Sequence, residues 1–550
     1  MKIKNIFIVS FVVSVLFASC VNDLDELHTS PNNPLLENAG STAIFSSSVR
    51  KVFHEDRYEF WRGPVLHADQ FGDQLAHGFS HQTWWDETNS WSYSDVWTSV
   101  VWEEYWTSSD QNHNGGHILA NVIYLLDKFA DDESGEAKAI KGMAKVMRSY
   151  QFLKLTDAFG DIPYSQAANP TEFPSPAYES QKDVYTGILT ELKEAITLLE
   201  SGKTPSGYDK ADMFYQGDVT NWIKFANSLR LRMAMRASNK LENANELIAE
   251  ILQKPLIEDN SENGYIEAIG NSSDPLDHGY FGFFGPYPNN GPMSGTETMI
   301  NMLKGESLEA ANVSETVNGE TNPFLGISDP RLFDMFEPTD GGEYIGRPVR
   351  KRYEDDASLV KTKLTCKLAS AGSTEVIGNV SMLGKKVWDI KYGYYILTYS
   401  EVCFLRAEAA LRSMGGSDAE KWYREGITAS MEQWGVSGAD ITAYFAQPNT
   451  TLAANPADDL EQVYTQRWIA SLTVPFQAWS IMRRTGYPTY ATLAKDKKVP
   501  SNTDLFQYHQ GDVGVNIPGK MAVPLKEGLL NSKNVPEGAN KMTTKVWWAK

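Results

Sequence analysis

The stretch that most constrains the fold is Ile140–Tyr164, IKGMAKVMRSYQFLKLTDAFGDIPY. Ile140, Met143, Met147 and Tyr150 recur at three- and four-residue steps and mark one apolar helix face, with Lys141, Lys145 and Arg148 as an opposing basic stripe. The helix must stop sharply. Gly160 suits a left-handed C-terminal position, and Pro163 has no amide hydrogen with which to continue the ladder. The residues read as a buried helix followed by a tight, ordered loop.

The same periodicity recurs along the chain. Ala120–Ala130 pairs with Glu136–Ala158 across Asp131–Gly135. Asp183–Glu200 carries Val184, Ile188, Leu192, Ile196 and Leu199 on one face. Thr220–Ser238, with Trp222, Phe225, Leu229 and Met233, and Glu242–Gln253 follow, and Ser41–Tyr58 reads as a further helix. Later, Tyr394–Ser413 and Ser417–Gln433 are joined by Met414-Gly415-Gly416, and Ala419, Trp422, Tyr423 and Ile427 have a tetratricopeptide-like spacing. Between these groups, Ile257–Lys391 loses helical rhythm and contains β-like runs, KLTCKL and VWDIKYGYY. The expected fold is therefore mainly α: a tetratricopeptide-like scaffold of helical pairs, an α-α superhelix, with minor β. The scaffold spans about 41–256 and 391–490, and a loop-rich, ligand-facing insert spans about 257–390, all within one domain over 41–550.

A net charge of −20 and a pI near 5.0 argue against nucleic acid, which needs clustered Lys and Arg. Three cysteines (Cys20, Cys366 and Cys403) cannot make a disulfide framework. Cys403 lies in an apolar helix pattern and reads as a small buried hydrophobe, with a Cys366–Cys403 bridge as the alternative. His77 and His81 stand four apart, but Gly78 breaks that helix and no HExxH glutamate follows, so hydrogen-bonded histidines are expected rather than a zinc site. Asp110, Asn112 and Asn114 with Gly115 match the first half of a calcium loop. Position 121 is Asn where the bidentate glutamate belongs, so an Asn/Gly turn is the better reading, with calcium the alternative; no other cofactor is expected. GxSxG, HExxH, P-loop and dinucleotide fingerprints are missing from the sequence. A glycosidase needs two carboxylates at defined separation, and 70 Asp and Glu neither support nor exclude such a pair by number, so no enzyme is expected.

Lys2 and Lys4 precede an apolar run, Ile6–Phe17, then Ala18, Ser19 and Cys20. This is the layout of a secretory signal over residues 1–19, and the run is shorter than the roughly 20 residues of a permanent span. Phe17-Ala18-Ser19-Cys20 resembles the bacterial lipobox, in which the cysteine is lipidated, although Phe17 replaces the usual Leu. Val21–Pro34 is polar and non-periodic, as expected of a tether within 20–40.

The aromatic residues are unevenly spread. Six of the 15 tryptophans lie in residues 84–106. Trp97, Val101, Trp102 and Tyr105 share a helical face and read as core. Trp84, Trp85, Trp91 and Tyr93 sit without periodicity among Asp86, Asn89 and Ser92, where rings are available to stack on a ligand. A second loop, DHGYFGFFGPYPNNGP at 277–292, carries Tyr280, Phe283, Tyr287 and Asn289. Local packing of these rings is the competing reading for both loops.

Several motifs, in order, resemble the second SusD-like branch of the SusD/RagB family of outer-membrane nutrient-binding lipoproteins. They are SPNNP in the tether; FGDIPY at Phe159–Tyr164; SDPRL at Ser328–Leu332 followed by GGEYIGRP; LTYSEVCFLRAEAAL at Leu397–Leu411; and RWIASLTVPFQAWSIMRRTGYP at Arg467–Pro488. Near the C-terminus the usual aromatic segment reads MAVPLKEGLLNSKN, which keeps Pro524, Glu527 and Asn531 but loses an arginine and a tyrosine. The acidic run Asp23, Asp25, Glu26 resembles the surface-export signal of such lipoproteins. The resemblance implies a lipid-anchored, cell-surface lid on a SusC-type TonB-dependent transporter. Its ligand would be an oligosaccharide bound on aromatic rings, or a peptide in some members. The family's motifs look structural, so the ligand-binding residues expected here rest on the aromatic loops alone.

Overall fold

A computed structural model of the chain describes residues 39–54, 76, 78–80, 102, 106, 118–268, 294–307, 316–318, 322–347, 351–353, 366–368, 376–378, 380–389, 391–474, 476–488, 492–493, 506–508 and 517–550. The first half holds α1 (Ser41–Val49), β1 (Phe79–Ser80), α2 (Ala120–Lys128), α3 (Gly135–Phe159), β2 (Ile162–Pro163) and β3 (Tyr178–Glu179). It continues through α4 (Gln181–Glu200), α5 (Tyr208–Ala211), α6 (Val219–Arg236), α7 (Ala244–Ile251) and β4 (Gly264–Ile266). The middle contributes β5 (Ser294–Gly295), α8 (Glu297–Lys304), β6 (Thr316–Asn318), α9 (Leu332–Met335), β7 (Lys351–Tyr353), β8 (Cys366–Leu368), β9 (Val376–Gly378) and α10 (Lys385–Trp388). β10 (Tyr394–Leu397) then opens a second helical run of α11 (Tyr399–Leu411), α12 (Ala419–Trp434), α13 (Gly438–Ala446), α14 (Pro456–Ala470) and α15 (Gln477–Thr485). β11 (Thr492–Leu493), β12 (Phe506–Tyr508) and α16 (Leu525–Leu530) follow. Among the described residues the strands form two-stranded ribbons: β1–β5, β2–β3, β4–β10, β6–β11, β7–β12 and β8–β9. The mainly helical architecture is as expected.

Helix α3, 25 residues long, is the spine. Ser134 caps its start by accepting from the Ala137 amide, and Gly160 ends it at φ +82°, a conformation costly for any side chain. Each cation of the basic stripe has a partner. Lys141 is buried and donates to the Ala130 and Asp132 carbonyls, and Lys145 pairs with Glu194 at 2.9 Å. The Arg148 guanidinium pairs with Glu191, its Nε donating at 2.7 Å. Long cationic side chains lay their stems along apolar surface while their heads find partners, so both faces of α3 are covered. The register 145 to 194, 148 to 191 and 156 to 181 makes α3 and α4 an antiparallel pair.

Three further boundaries move. The expected helix Tyr394–Ser413 begins as a strand: Tyr394 opposes Ile266 and Tyr395 opposes Tyr265, and α11 starts only after Thr398, whose hydroxyl accepts from the Glu401 amide. The aromatic and β-branched residues of YYIL suit the ribbon better than a helix. Helix α1 ends at Val49 and continues as a π-turn over Arg50–His54. The run VWDIKYGYY divides between α10 and β10. Cys403 is free and buried, so it is not bridged to Cys366, and burial pushes its thiol up to about 12. No helix among the described residues is long and apolar enough to cross a membrane.

Candidate functional site

The two aromatic-rich stretches of sequence adjoin the two strands of one ribbon. β1 and β5 pair antiparallel, Phe79 opposite Gly295 and Ser80 opposite Ser294. In that register the chain leaving Ser80 and the chain entering Ser294 lie at the same end. Trp84, Trp85, Trp91 and Tyr93 follow Ser80 in sequence, and Tyr280, Phe283, Tyr287 and Asn289 precede Ser294. These eight residues lie outside the described residues, as do Cys20, His77, His81, Asp110, Asn112 and Asn114. Asn121 is described: it is buried on α2 and its amide donates to Ser47 Oγ at 2.9 Å, tying α2 to α1. Among the described residues no group of His, Cys, Asp and Glu is arranged to hold a metal. Trp102 is buried, with its ring edge-on to Phe159 and parallel to Tyr178, in keeping with the core reading of its helical face.

The ribbon is widened by backbone bonds. Gly295 N donates to the Ser381 carbonyl, and Ser381 N to the Ile345 carbonyl. Thr296 and Arg347 form a parallel bridge, with Arg347 N donating to Gly295 O and Glu297 N to Arg347 O, each at 2.8 Å. The 344–347 segment therefore runs in the direction of β5, and Tyr344 lies toward the end at which Ser80 and Ser294 are paired. Gly346, the last glycine of GGEYIGRP, is needed here: a Cβ would sit 2.4 Å from Glu297 Cα. Trp468, fully buried on α14, donates from Nε1 to the Ala76 carbonyl at 3.1 Å and fastens the chain just before β1 to the helices.

The other motifs supply that helical support as buried charge. Glu401 accepts from Arg232 Nε (3.0 Å) and Nη2 (2.6 Å) and from Arg467 Nη2 (2.7 Å), which joins α6, α11 and α14. Burial alone would raise the Glu401 carboxyl, but Arg232 and then Arg467 outweigh it and hold it down at about 2. Glu408 pairs with Arg484 at 2.5 Å and Arg412 at 2.8 Å, and it too is held below the usual carboxylate range. Asp157 on α3 takes the Arg236 guanidinium and the Tyr185 hydroxyl, and Trp548 Nε1 donates to it at 2.9 Å. The retained C-terminal residues serve the same end: Glu527 accepts from the Tyr178 hydroxyl, and the Asn531 amide donates to the Pro176 carbonyl.

SDPRL holds a residue that sequence reasoning did not select. Arg331 is fully buried; its Nε and Nη2 donate to the Asp329 carboxylate, Nη1 to Ser430 Oγ at 3.0 Å, and Nη2 to Gln466 Oε1 at 2.5 Å. That clamp fixes α9, whose Phe333 is 57% exposed. Its ring meets half-buried Tyr344 edge-on, with centroids 5.4 Å apart at 77°. Partial burial raises the Tyr344 hydroxyl, and Glu337 and Asp334 nearby raise it further, so it remains a proton donor at neutral pH. The available signal was an aromatic residue at each motif, Phe333 directly after SDPRL and Tyr344 within GGEYIGRP.

A separate cavity of about 570 Å³ lies between the Asn322–Leu325 turn and the start of α14, with Asn449, Thr451, Asp458, Glu461 and Gln462 in its wall. Among the described residues its wall offers hydrogen-bonding groups but no aromatic ring for stacking.

The sequence matches, over residues 69–505, the family model SusD-like_2, described as starch-binding associating with outer membrane. A solved SusD homologue from Parabacteroides distasonis is 23% identical, with a TM-score of 0.68 and coverage of 93% of this chain and 98% of that one. One from Bacteroides uniformis is 22% identical, with a TM-score of 0.67 and coverage of 93% and 100%. A chitin-binding SusD homologue from Flavobacterium johnsoniae is 21% identical, with a TM-score of 0.67 and coverage of 92% and 98%. At these identities the likeness establishes the fold. No curated protein is detectably similar to the sequence.

Proposed function

The chain belongs to the SusD-like family matched over residues 69–505, and from that premise we propose that it is a non-catalytic, cell-surface glycan-binding lipoprotein. Lipidated at Cys20, it captures oligosaccharide for import through a SusC-type TonB-dependent outer-membrane transporter. The observation that supports this reading is the β1–β5 register, which pairs Ser80, four residues before Trp84 in sequence, with Ser294, five residues after Asn289. Trp84 is four residues from Ser80 and Asn289 five from Ser294, so chain length alone keeps them within about 14 and 18 Å of paired strand residues. Rings and amides brought within that reach suit a sugar, whose apolar face stacks while its hydroxyls bond. The family's description as starch-binding and outer-membrane-associated points the same way.

The test is binding by the full chain, purified in detergent, to a panel of polysaccharides and peptides, compared with Trp84→Ala, Trp85→Ala and Tyr287→Ala. Binding to one glycan class, weakened in a variant that still melts normally, is the expected result. Peptide binding instead, or glycan binding indifferent to all three changes, overturns the assignment. Release of reducing ends overturns the non-enzyme reading.

A further inference from the structure

We infer that the cavity between the Asn322–Leu325 turn and the start of α14 is a binding site for a protonated amino sugar, whose ammonium group is held by Asp458 and Glu461. It requires none of the aromatic residues on which the proposed function rests. The cavity measures about 570 Å³, within the range of sites that take a small organic ligand. Among the described residues, Asp458 and Glu461 are the only charged side chains in its wall. They stand three apart on α14, so helical geometry puts both on one face, close enough to share a cation.

Helix stability accounts for part of this charge. Asp458 and Asp459 lie in the first turn of α14, where the helix dipole favours carboxylates and Asn455 caps the chain. Glu461 lies a turn further on and gains little from the dipole. A second observation marks the same wall. Gln462 is 5% exposed, and its Nε2 donates to the Thr451 carbonyl at 3.4 Å, which orients the amide and leaves Oε1 without a hydrogen-bond partner. A buried acceptor of this kind costs free energy until a donor arrives. An ammonium group carries three N–H donors, enough for Asp458, Glu461 and the Gln462 oxygen.

The walls are held in place by the fold itself. On one side, the Asn322 amide donates to the Glu306 carbonyl and Gly326 N to Gly305 O, each at 2.7 Å. On the other, Leu452 N donates to Glu420 of α12 at 2.9 Å. Ser328 and Gln447 exchange two hydrogen bonds of 2.9 Å and tie the two sides together. A preformed site loses little ordering entropy when its ligand arrives. The rest of the wall decides what carries the ammonium. A lone cation or a lysine side chain leaves most of such a space unfilled, whereas a sugar of one or two rings occupies it. Asn449 and Thr451 offer the donors and acceptors that ring hydroxyls use, and Leu325 and Leu452 offer an apolar side for ring C–H groups. The net charge of −20 draws a cationic sugar toward the chain and gives a neutral one no such help.

The experiment is calorimetry on the full chain in detergent at about pH 6, where carboxylates are ionised and amines protonated. The probes are the β-1,4-linked disaccharide of glucosamine, its di-N-acetylated form, a lysine peptide with blocked ends, and calcium chloride. The proteins are wild type, Glu461→Gln, the double variant Asp458→Asn with Glu461→Gln, and Leu325→Trp, which crowds the cavity from a position 64% exposed. We expect wild type to bind the glucosamine disaccharide and not the acetylated one, which has the same rings but no charge. Glu461→Gln should weaken that binding roughly tenfold and the double variant on the order of a hundredfold. Leu325→Trp should weaken it as well, and all three should keep the wild-type melting temperature. Equal binding of the acetylated disaccharide overturns recognition of the amine. Peptide binding as tight as that of the sugar overturns the sugar in favour of lysine, and calcium binding that Glu461→Gln abolishes overturns it in favour of a metal ion. Disaccharide binding indifferent to all three variants, or no binding by wild type, overturns the site.

Discussion

The helical scaffold and the β1–β5 ribbon are built on opposite principles. In the scaffold, position is fixed by buried charge: Glu401 holds Arg232 and Arg467, Glu408 holds Arg484 and the Tyr464 hydroxyl, and Asp157 holds Arg236 and Trp548, all from distant parts of the chain. In the ribbon, position is fixed by a few backbone bonds and the close approach of Gly346, and the segment beside it leaves Ile345 exposed and Tyr344 half-buried. Buried charges are intolerant of change, because removing one partner strands the other. Exposed rings on a pinned backbone can be exchanged at little cost to the fold. A family that binds varied ligands on one architecture needs both arrangements, and here they occupy separate residues. Stability and affinity should therefore respond to different substitutions.

The largest separation is expected from Glu401→Gln. It leaves Arg232 and Arg467 facing an uncharged group in the interior, a change of a kind that costs about 3–5 kcal/mol. Chemical denaturation should show that loss, while the folded fraction binds its glycan with unchanged affinity. A matching loss of affinity in the folded fraction would break the separation.

Acid should reproduce much of this effect in the wild-type protein. The Glu401 carboxyl is held at about 2 in the folded state, whereas an unfolded glutamate titrates near its ordinary value of about 4.3. Between those values the unfolded chain binds the proton and the folded chain does not, so acidification favours unfolding. The contribution of about 3 kcal/mol is fully present above pH ~4.5 and is lost as pH falls toward 2. Glu408 shifts in the same direction and adds to the slope. Denaturation midpoints of wild type and Glu401→Gln should therefore converge on acidification; a constant gap down to pH 2 would show that Glu401 does not carry the acid response.

The two regions were also unequally legible in the sequence. Glu136–Ala158 and Asp183–Glu200 were visible because a covered helix repeats its apolar residues over many turns, and the boundaries moved by three residues or fewer. The partners of Lys145 and Arg148 were not visible, since which acid meets which base depends on how the two helices pack. Arg232 and Glu401 lie 169 residues apart and carry no mark of their pairing. The ribbon was invisible for a different reason. Two residues per strand, Phe79–Ser80 and Ser294–Gly295, are too few to show an alternation, and only their pairing brings together strand residues more than 200 positions apart. Phe333 and Tyr344 were passed over because their motifs look structural; the motifs are structural, and what they hold in place is exposed.

A smaller effect is expected where the two regions meet. Trp468 belongs to the scaffold by burial, yet its indole N–H is given to the Ala76 carbonyl, three residues before β1. Trp468→Phe keeps most of the ring volume and leaves that carbonyl, buried with Ala76, without its donor, a loss of about 1–2 kcal/mol. If the ribbon takes its orientation from this bond, hydrogen exchange at Phe79 and Gly295 should quicken while that at α11 and α14 stays near wild type. Glycan affinity should fall several-fold with little change in melting temperature, the reverse of Glu401→Gln. Unchanged exchange at the ribbon would mean that β5 and the Ser381 contacts orient it without help from the helices. The boundary between the two regions would then pass through Trp468 itself.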